Sequence, residues 1–377
     1  MVLQHPDYRI DLDDGAGWPR GLANECDFRI DEERIVRGLC VSLPPLERDL
    51  VHVAMAVYAA DRLARRRHGT HEGARNVRLR IQVNSPSLWT GLRDVIEETL
   101  FSLSHDRWEL QFEFGQLKPI PGALFSLRDE PAVCLYSGGL DSAAGLAGRL
   151  GHLDRQIVCG TACHQPGQRQ RVQSQLERMK AVHSHDVFSL AVRAALVRPP
   201  LLKEQELSQR CRSFLFCSLG AVVASISGSH AVEVYESGVG ALNLPPMAGM
   251  AVGARSTKGC HPNFLRLMSE VASSIAQRSI TFELPFADST KAEAEQLEPL
   301  RAILLQVSAL RRCHGNGGTA ALRRYANGTG VVQAGEPMAA WTTVLNRYCD
   351  EWLQLIPHMR QRGIRWANLI APIQRAS

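Results

Sequence analysis

A run of serines, glycines and one aspartate, set between two apolar stretches, holds the residues with the clearest potential for chemistry. The run Ser137-Gly-Gly-Leu-Asp-Ser142 follows the apolar residues 132–136 and precedes the small apolar residues 143–150. Glycines allow backbone conformations that a Cβ would forbid, and serine hydroxyls add to the N–H groups at the start of a helix. The pattern predicts an anion-binding turn that is suited to phosphate.

Such a turn needs a strand before it and a helix after it. From about Pro131 the chain alternates predicted strands with predicted helices, which is typical of a doubly wound parallel sheet that binds ligands at the carboxyl ends of its strands. The predicted strands are residues 133–136, 157–163, 187–190 and 232–235, and the predicted helices are 143–150, 171–182 and 205–227. The phosphate turn would lie at that edge of the sheet.

The first part of the chain has a different pattern. Candidate strands at 8–12, 77–83 and 108–114 accompany candidate helices at 50–65 and 92–103. Residues 78–83 alternate polar and apolar side chains, which indicates a half-exposed sheet rather than a buried parallel one. We therefore expect an α+β accessory domain at 1–125, a ligand-binding domain at 126–298 and a helical C-terminal region at 299–377, with a Pro/Gly linker at 117–122.

Composition limits the class of protein. Of 377 residues, 45% are hydrophobic and 21% charged, with a net charge of +5 and 10 scattered cysteines. These values are typical of a globular chain in a reducing compartment, and we expect a cytoplasmic location. No apolar run is long enough to span a bilayer, and the N-terminus lacks a signal pattern. The arginine clusters at 65–67 and 323–324 favour solvated helix faces over a nucleic-acid surface.

The loop matches neither a Walker A loop nor a Rossmann fingerprint. It resembles the SGGxDS signature of the PP-loop ATP pyrophosphatases. That resemblance implies an ATP site in which the loop holds the pyrophosphate while an acceptor oxygen attacks the α-phosphate. The products would be an adenylate and pyrophosphate. An ordinary strand-turn-helix with a glycine-rich turn is the structural alternative.

Further segments resemble the QueC group of this family, the 7-cyano-7-deazaguanine synthases. Residues 167–170 are close to its GQRH motif but lack the histidine, and residues 290–293 resemble its TKxE motif. The resemblance implies catalytic roles for Asp141, Ser142 and Lys291. It implies ATP contacts from Ser137, Gly138, Gly139, Leu140, Asp141, Ser142, Gln168 and Arg169, and substrate contacts from Arg210, Glu236, Asn243, Ser256 and His261. Mg²⁺ would share the phosphate charge.

Each later match also has an ordinary structural interpretation. Thr290 and Glu293 would form a capping box, His261-Pro262 a loop turn, and Arg210 part of a solvated face. The order and spacing of the matches, rather than any one of them, favour the QueC group over another branch of the PP-loop enzymes.

Two departures from the biosynthetic QueC enzymes modify this expectation. Those enzymes carry a four-cysteine zinc site, whereas Asn316 and Thr319 stand where two of the cysteines should follow Cys313. We therefore expect no structural zinc. The other departure is the domain ahead of the loop, which resembles extended QueC-like proteins of the QatC type from bacterial antiphage systems.

The resemblance implies a ligase that adenylates the carboxylate of 7-carboxy-7-deazaguanine and joins it to an amine. We expect that amine to belong to a partner protein that docks on the N-terminal domain. The alternatives are a synthase that uses ammonia to make the nitrile, a tRNA-modifying PP-loop enzyme, and a nucleotide-sensing module without turnover. A homodimer stays open, and neither a membrane nor a nucleic acid is an expected partner.

Overall fold

The computed structural model describes residues 2–5, 8–13, 43–64, 74–117, 130–150, 157–163, 167–183, 187–193, 206, 209–242 and 258–287. These residues form a mixed α/β structure with parallel strand pairs, which confirms the predicted α/β class at that level. The division at residues 125 and 298 stays a prediction. The predicted helical region 299–377, including Cys313, lies outside the described residues.

Four described strands form the first sheet, in the order β1-β2-β3-β4. Its elements in chain order are β1 Val2–His5, β2 Tyr8–Asp13, α1 Pro45–Leu63, β3 Asn76–Val83, α2 Pro86–Ser104 and β4 Arg107–Phe114. β2 pairs antiparallel with β1 and β3, whereas β3 pairs parallel with β4 across α2. The alternation in β3 buries Val77, Leu79, Ile81 and Val83, so one face of this sheet meets the core. One of its ladders is nevertheless parallel, because a helix connects β3 to β4.

The second sheet begins at the serine-glycine run. Its elements in chain order are β5 Ala132–Leu135, α3 Leu140–Leu150, β6 Ile157–Cys163, α4 Gln168–His183, β7 Val187–Arg193, α5 Arg212–Ser227, β8 Ala231–Val234, α6 Gly238–Leu242, α7 Pro262–Ala276 and β9 Thr281–Glu283.

In the described part of the chain, the second sheet has five parallel strands in the order β7-β6-β5-β8-β9. The chain first winds from β5 towards β7 and then returns to β8 on the other side of β5. Helices lie on both faces: α3 and α4 share one apolar cluster with the sheet, and α5 and α7 share another. The strand order reverses between β5 and β8, and open α/β sheets bind ligands at the carboxyl ends of strands at such points.

Among the described elements, helix α1 lies between the first sheet and two helices of the second. It packs against β3 on one side and against α5 and α7 on the other, and α2 also packs against α7. Nearly all of its residues are buried, and beside its apolar side chains these include the polar residues Glu47, Asp49, His52 and Asp61. Both sheets therefore contribute to one continuous apolar cluster through the layer of α1, α2, α5 and α7.

Helix α5 begins later than the sequence predicts. The predicted helix starts at residue 205, whereas α5 begins at Arg212 because Gln209 adopts a left-handed conformation with φ 46°. That conformation ends any helix that precedes it. Among the described residues, no helix is both long enough and apolar enough to cross a membrane.

Candidate functional site

The loop between β5 and α3 has its two hydroxyls facing each other. Ser137 Oγ lies 3.2 Å from Ser142 Oγ and accepts a hydrogen bond from the Gly139 N–H at 3.2 Å. Ser142 Oγ also donates to the Gly139 carbonyl oxygen at 2.9 Å. Gly138 has φ 77°, a conformation that favours glycine. The loop therefore turns sharply and leads directly into the N-terminus of α3.

Side chains of helix α4 contact this loop and restrict its position. Gln175 Nε2 donates to the Gly138 carbonyl oxygen at 3.4 Å, and the Tyr136 hydroxyl donates to Gln175 Oε1 at 3.0 Å. A Cβ at Gly138 would approach Val172 Cγ2 to 3.1 Å, a tight contact. The glycine therefore satisfies both the backbone conformation and the close approach of α4.

Two helix N-termini meet the carboxyl edge of the sheet beside the loop. Leu140 is the first residue of α3, and the buried Asp141 and Ser142 follow it in the first turn. Gln168, also buried, and Arg169 begin α4 after a left-handed Gly167. Because β5 and β6 are neighbouring parallel strands, α3 and α4 start at the same edge. Their N–H groups give that edge a positive potential.

The segment after β8 brings a carboxylate to the same edge. Glu236 follows Tyr235, and a Cβ at Gly240 of α6 would overlap Glu236 Oε1. Ser237 Oγ accepts from the Gly240 N–H at 3.4 Å. The short helix therefore packs directly on the Glu236 side chain and restricts its position.

Cys260 lies close to several charged residues of the candidate site. The pKa of Cys260 is raised to about 12, chiefly by burial; the negative charges of Glu236 and Asp141 also raise it, while Arg212 lowers it. The charges of two carboxylates and one guanidinium are therefore close enough to affect this thiol. The thiol is protonated at neutral pH, so Cys260 is unsuited to act as a nucleophile.

Arg212, in the first turn of α5, is a site residue that the sequence interpretation did not select. Burial lowers its pKa, and interactions with Tyr58 and Cys260 raise it. Tyr58 comes from α1, and burial raises the pKa of its phenol while Arg62 and Arg212 lower it. The elements β1 to β4, α1 and α2, which together form the first module, therefore contribute through α1 to the surroundings of this guanidinium. The only sequence signal for Arg212 is its place at the head of an apolar helix, and nothing in the sequence signals Tyr58.

Residues 258–261 are the last described segment of the candidate site. His261 is the N-cap of α7, and its Nδ1 accepts from the Asn263 N–H at 3.3 Å. Burial, together with the charges of Lys258 and His105, lowers the pKa of His261 to about 3. Its imidazole is therefore neutral at pH 7. A Cβ at Gly259 would overlap Ser213 Oγ, so this loop packs against the first turn of α5.

The structure thus brings Asp141, Glu236, Arg212 and the 258–261 loop together at one edge of the second sheet. Arg210 is buried in the turn before α5, and its predicted substrate contact stays a prediction. Three further predicted site residues, Asn243, Ser256 and Lys291, lie outside the described residues.

No family model matches this chain, and no curated protein matches it.

Proposed function

We propose that this chain is an ATP-dependent, AMP-forming carbon–nitrogen ligase of the QueC-like PP-loop type. The observation that carries this proposal is the position of the Ser137–Ser142 loop. The loop follows β5, the central strand of a parallel sheet, at the point where the strand order reverses. It leads directly into the N-terminus of α3. Open α/β sheets bind ligands at such reversal points, and phosphates bind at such N-termini. The doubly wound PP-loop fold is part of the proposal.

The loop would hold the β- and γ-phosphates of ATP. Its glycine N–H groups and the hydroxyls of Ser137 and Ser142, which hydrogen-bond within the loop in this structure, would turn to the phosphates at the positive end of α3, and the N-terminus of α4 would add to that potential. Asp141 and the hydroxyls supply the oxygen atoms that Mg²⁺ prefers, so these residues fit that ion. When bound, Mg²⁺ would neutralise part of the phosphate charge. Lys291 would provide a further positive charge for the leaving pyrophosphate.

The charges around Cys260 fit 7-carboxy-7-deazaguanine as the second substrate. This molecule has a carboxylate and a guanine-like edge that carries N–H donors. Arg212 would pair with the carboxylate, and Glu236 would accept the paired N–H groups. Neutral His261, Arg210, Asn243 and Ser256 would complete the pocket.

The reaction would proceed in two steps. A carboxylate oxygen of the substrate attacks the α-phosphorus of ATP, the bond to the bridging oxygen breaks, and pyrophosphate leaves. An amine then adds to the acyl carbon, loses a proton and expels AMP, which leaves an amide. The protein's main contribution is to hold the carboxylate in line with the α-phosphate and to stabilise charge.

We infer that the amine belongs to a partner protein, in a cytoplasmic antiphage system. The support is the additional first module, which is larger than a nucleotide site needs and could dock a protein. Intact-mass measurement of candidate partners after incubation with ATP and 7-carboxy-7-deazaguanine tests this step. An ATP-dependent mass gain on a partner is expected; a free nitrile made from ammonia would favour the synthase alternative.

The first test is AMP formation. Purified protein with ATP, Mg²⁺ and 7-carboxy-7-deazaguanine should release AMP and pyrophosphate only when the carboxylate is present, as measured by mass spectrometry. Asp141→Ala should abolish this release. Asp94→Ala is the matched control, because the side chain of Asp94 is 93% exposed on α2. ATP binding without substrate-dependent AMP would count against the proposed function.

A further inference from the structure

A buried ion cluster joins three segments of the first module. The Arg75 guanidinium donates to Asp61 Oδ1 at 2.6 Å and to Asp106 Oδ2 at 2.6 Å, and the Arg75 N–H donates to Asp106 Oδ1 at 2.9 Å. Both carboxylates have 0% exposure. Burial alone would lower the pKa of Arg75, but the two carboxylates raise it. A paired, fully buried cluster of this kind is held in one arrangement. The loss of any one partner would leave a buried charge without a counter-charge or water, which is strongly destabilising.

The second oxygen of Asp61 leaves the first module. Asp61 Oδ2 accepts a hydrogen bond from the N–H of Cys211 at 3.0 Å, across 150 positions in the sequence. Cys211 immediately precedes α5. The cluster of one guanidinium and two carboxylates has a net negative charge, and it lies at the positive end of the α5 dipole.

The turn that Asp61 contacts contains one residue with a strained backbone. Gln209 is left-handed, with φ 46°, which a residue with a Cβ adopts only at a cost in free energy. The Arg212 N–H donates to the Gln209 carbonyl oxygen at 3.2 Å, and the Phe214 N–H donates to the Cys211 carbonyl oxygen at 3.1 Å. The backbone from 209 to 214 is therefore one short hydrogen-bonded unit, with Asp61 as its buried side-chain acceptor.

This unit leads directly to the candidate site. Arg212 follows Cys211, and Ser213 packs against Gly259 of the 258–261 loop. A shift of the Cys211 amide would move both the guanidinium and the loop that it faces.

We propose that Asp61 is a positioning residue, which fixes the first turn of α5 and thereby the guanidinium of Arg212 in the site. What Arg212 then binds rests on the proposed function above; the positioning itself does not. The first module would in this way form part of the active centre as well as a surface for a partner.

The test compares three variants of the full chain by hydrogen–deuterium exchange. Asp61→Ala removes the acceptor of the Cys211 N–H, and Asp61→Asn keeps an oxygen acceptor but removes the charge. Asp106→Asn is the matched control, because it weakens the same ion cluster without touching Cys211. We expect exchange in peptides covering 206–216 to rise about tenfold in Asp61→Ala relative to Asp106→Asn, and less in Asp61→Asn. If Asp61→Ala does not fold, the comparison of Asp61→Asn with Asp106→Asn carries the test.

Kinetics give the functional half of the test. With AMP as the readout, Asp61→Ala should raise the KM for the carboxylate substrate about tenfold while the KM for ATP stays within twofold. Equal exchange at 206–216 in the Asp61 and Asp106 variants would overturn the positioning role, whatever the activity. If the wild-type protein forms no AMP, the proposed function fails, and the exchange data still decide the positioning role.

Discussion

His261 shows how burial sets the charge state of single residues at this site. Its imidazole is 3% exposed and close enough to Lys258 and His105 for both to disfavour its protonation. At neutral pH it therefore offers a hydrogen-bonding ring rather than a positive charge. The positive charge that faces Cys260 comes from Arg212 instead. Selectivity for a substrate anion would depend on this guanidinium, and it would change little between pH 6 and pH 8.

A depressed histidine pKa makes stability depend on pH in a defined direction. The pKa of His261 is about 3 in the folded protein, and the unfolded value is 6.5. Above pH 6.5 both states are neutral at this position, and the full stability is present. As pH falls from 6.5 towards 3, the unfolded state takes up a proton that the folded state does not. Stability should then fall by up to about 1.4 kcal/mol per pH unit from this group alone.

Urea unfolding at pH 7 and at pH 5 measures this dependence. His261→Gln should flatten the pH dependence over that range. His230→Gln, at an exposed position, should leave it as in the wild type. An unchanged slope in His261→Gln would show that this imidazole is not the group responsible.

Gly138 gives a second prediction at this scale. Gly138→Ala forces a Cβ into a left-handed conformation and against Val172, so we expect a loss of about 1–2 kcal/mol in stability and a fall of at least about tenfold in AMP formation. Gly91→Ala in α2 is the control, since its Cβ would meet nothing within 4 Å. That change should stabilise the protein by roughly 0.5–1 kcal/mol. Wild-type activity in Gly138→Ala would argue against a role for this turn in phosphate binding.

At the scale of elements, α3 is held against β8, the strand that precedes Glu236. Arg149 Nε donates to Glu233 Oε2 at 2.9 Å, and the Tyr235 hydroxyl also donates to that carboxylate. The Tyr235 ring lies so close to Gly145 that a Cβ there would overlap it. Helix α3, which follows the Ser137–Ser142 loop, and β8, which leads to Glu236, are thereby held in one relative position.

Gly145→Ala should disturb this contact. Overpacking against the Tyr235 ring should cost about 1–3 kcal/mol of unfolding free energy, measured by urea denaturation. A double-mutant cycle with Tyr235→Ala gives the control, because the alanine at 145 should cost far less once the ring is gone. Additive effects of the two substitutions would mean that the ring and the helix do not meet as described.

The sequence predicts individual helices and strands better than it predicts the contacts between them. β6 has the predicted bounds 157–163, because its run of mostly apolar and small residues is bounded by the polar Gln156 and His164. β9 and α7 were not predicted, since three residues are too short for a periodic signal and α7 follows a loop without a clear strand. The turn at residues 137–142 between a strand and a helix was predicted from local residue types, and its role in phosphate binding stays a prediction. Arg212, Tyr58 and Asp61 were not predicted, because their roles come from contacts between segments that lie far apart in the sequence.

At the scale of the whole molecule, the first module covers the second sheet's helices. α1 buries apolar residues against α5 and α7, and its polar groups reach across as well: Ser225 Oγ donates to Glu47 Oε1 at 2.5 Å. Asp49 accepts hydrogen bonds from Asn84 and from the Trp89 indole, and its pKa is raised by burial although these donors lower it. The two predicted domains therefore share their largest apolar cluster.

This shared core predicts that the second sheet is not independent. A fragment of residues 126–377 would expose the apolar face of α5 and α7 to water, so we expect it to aggregate or to lack cooperative unfolding. Size-exclusion chromatography and circular dichroism measure this. Co-expression with residues 1–125 should restore a soluble complex that unfolds cooperatively. A monomeric, cooperatively folded 126–377 fragment would contradict the dependence.

The hydrogen bond from Cys211 to Asp61 has a consequence for synthesis on the ribosome. Its partners are 150 positions apart, and α1 is translated long before the helices that cover it. At about 5–20 residues per second, α1 would wait roughly 8–30 s for α5 to emerge. During that interval α1 can pack against β3, but its surface for α5 and α7 has no native partner. We expect the yield in cells to depend on ribosome-associated chaperones more than that of a protein whose domains fold in turn.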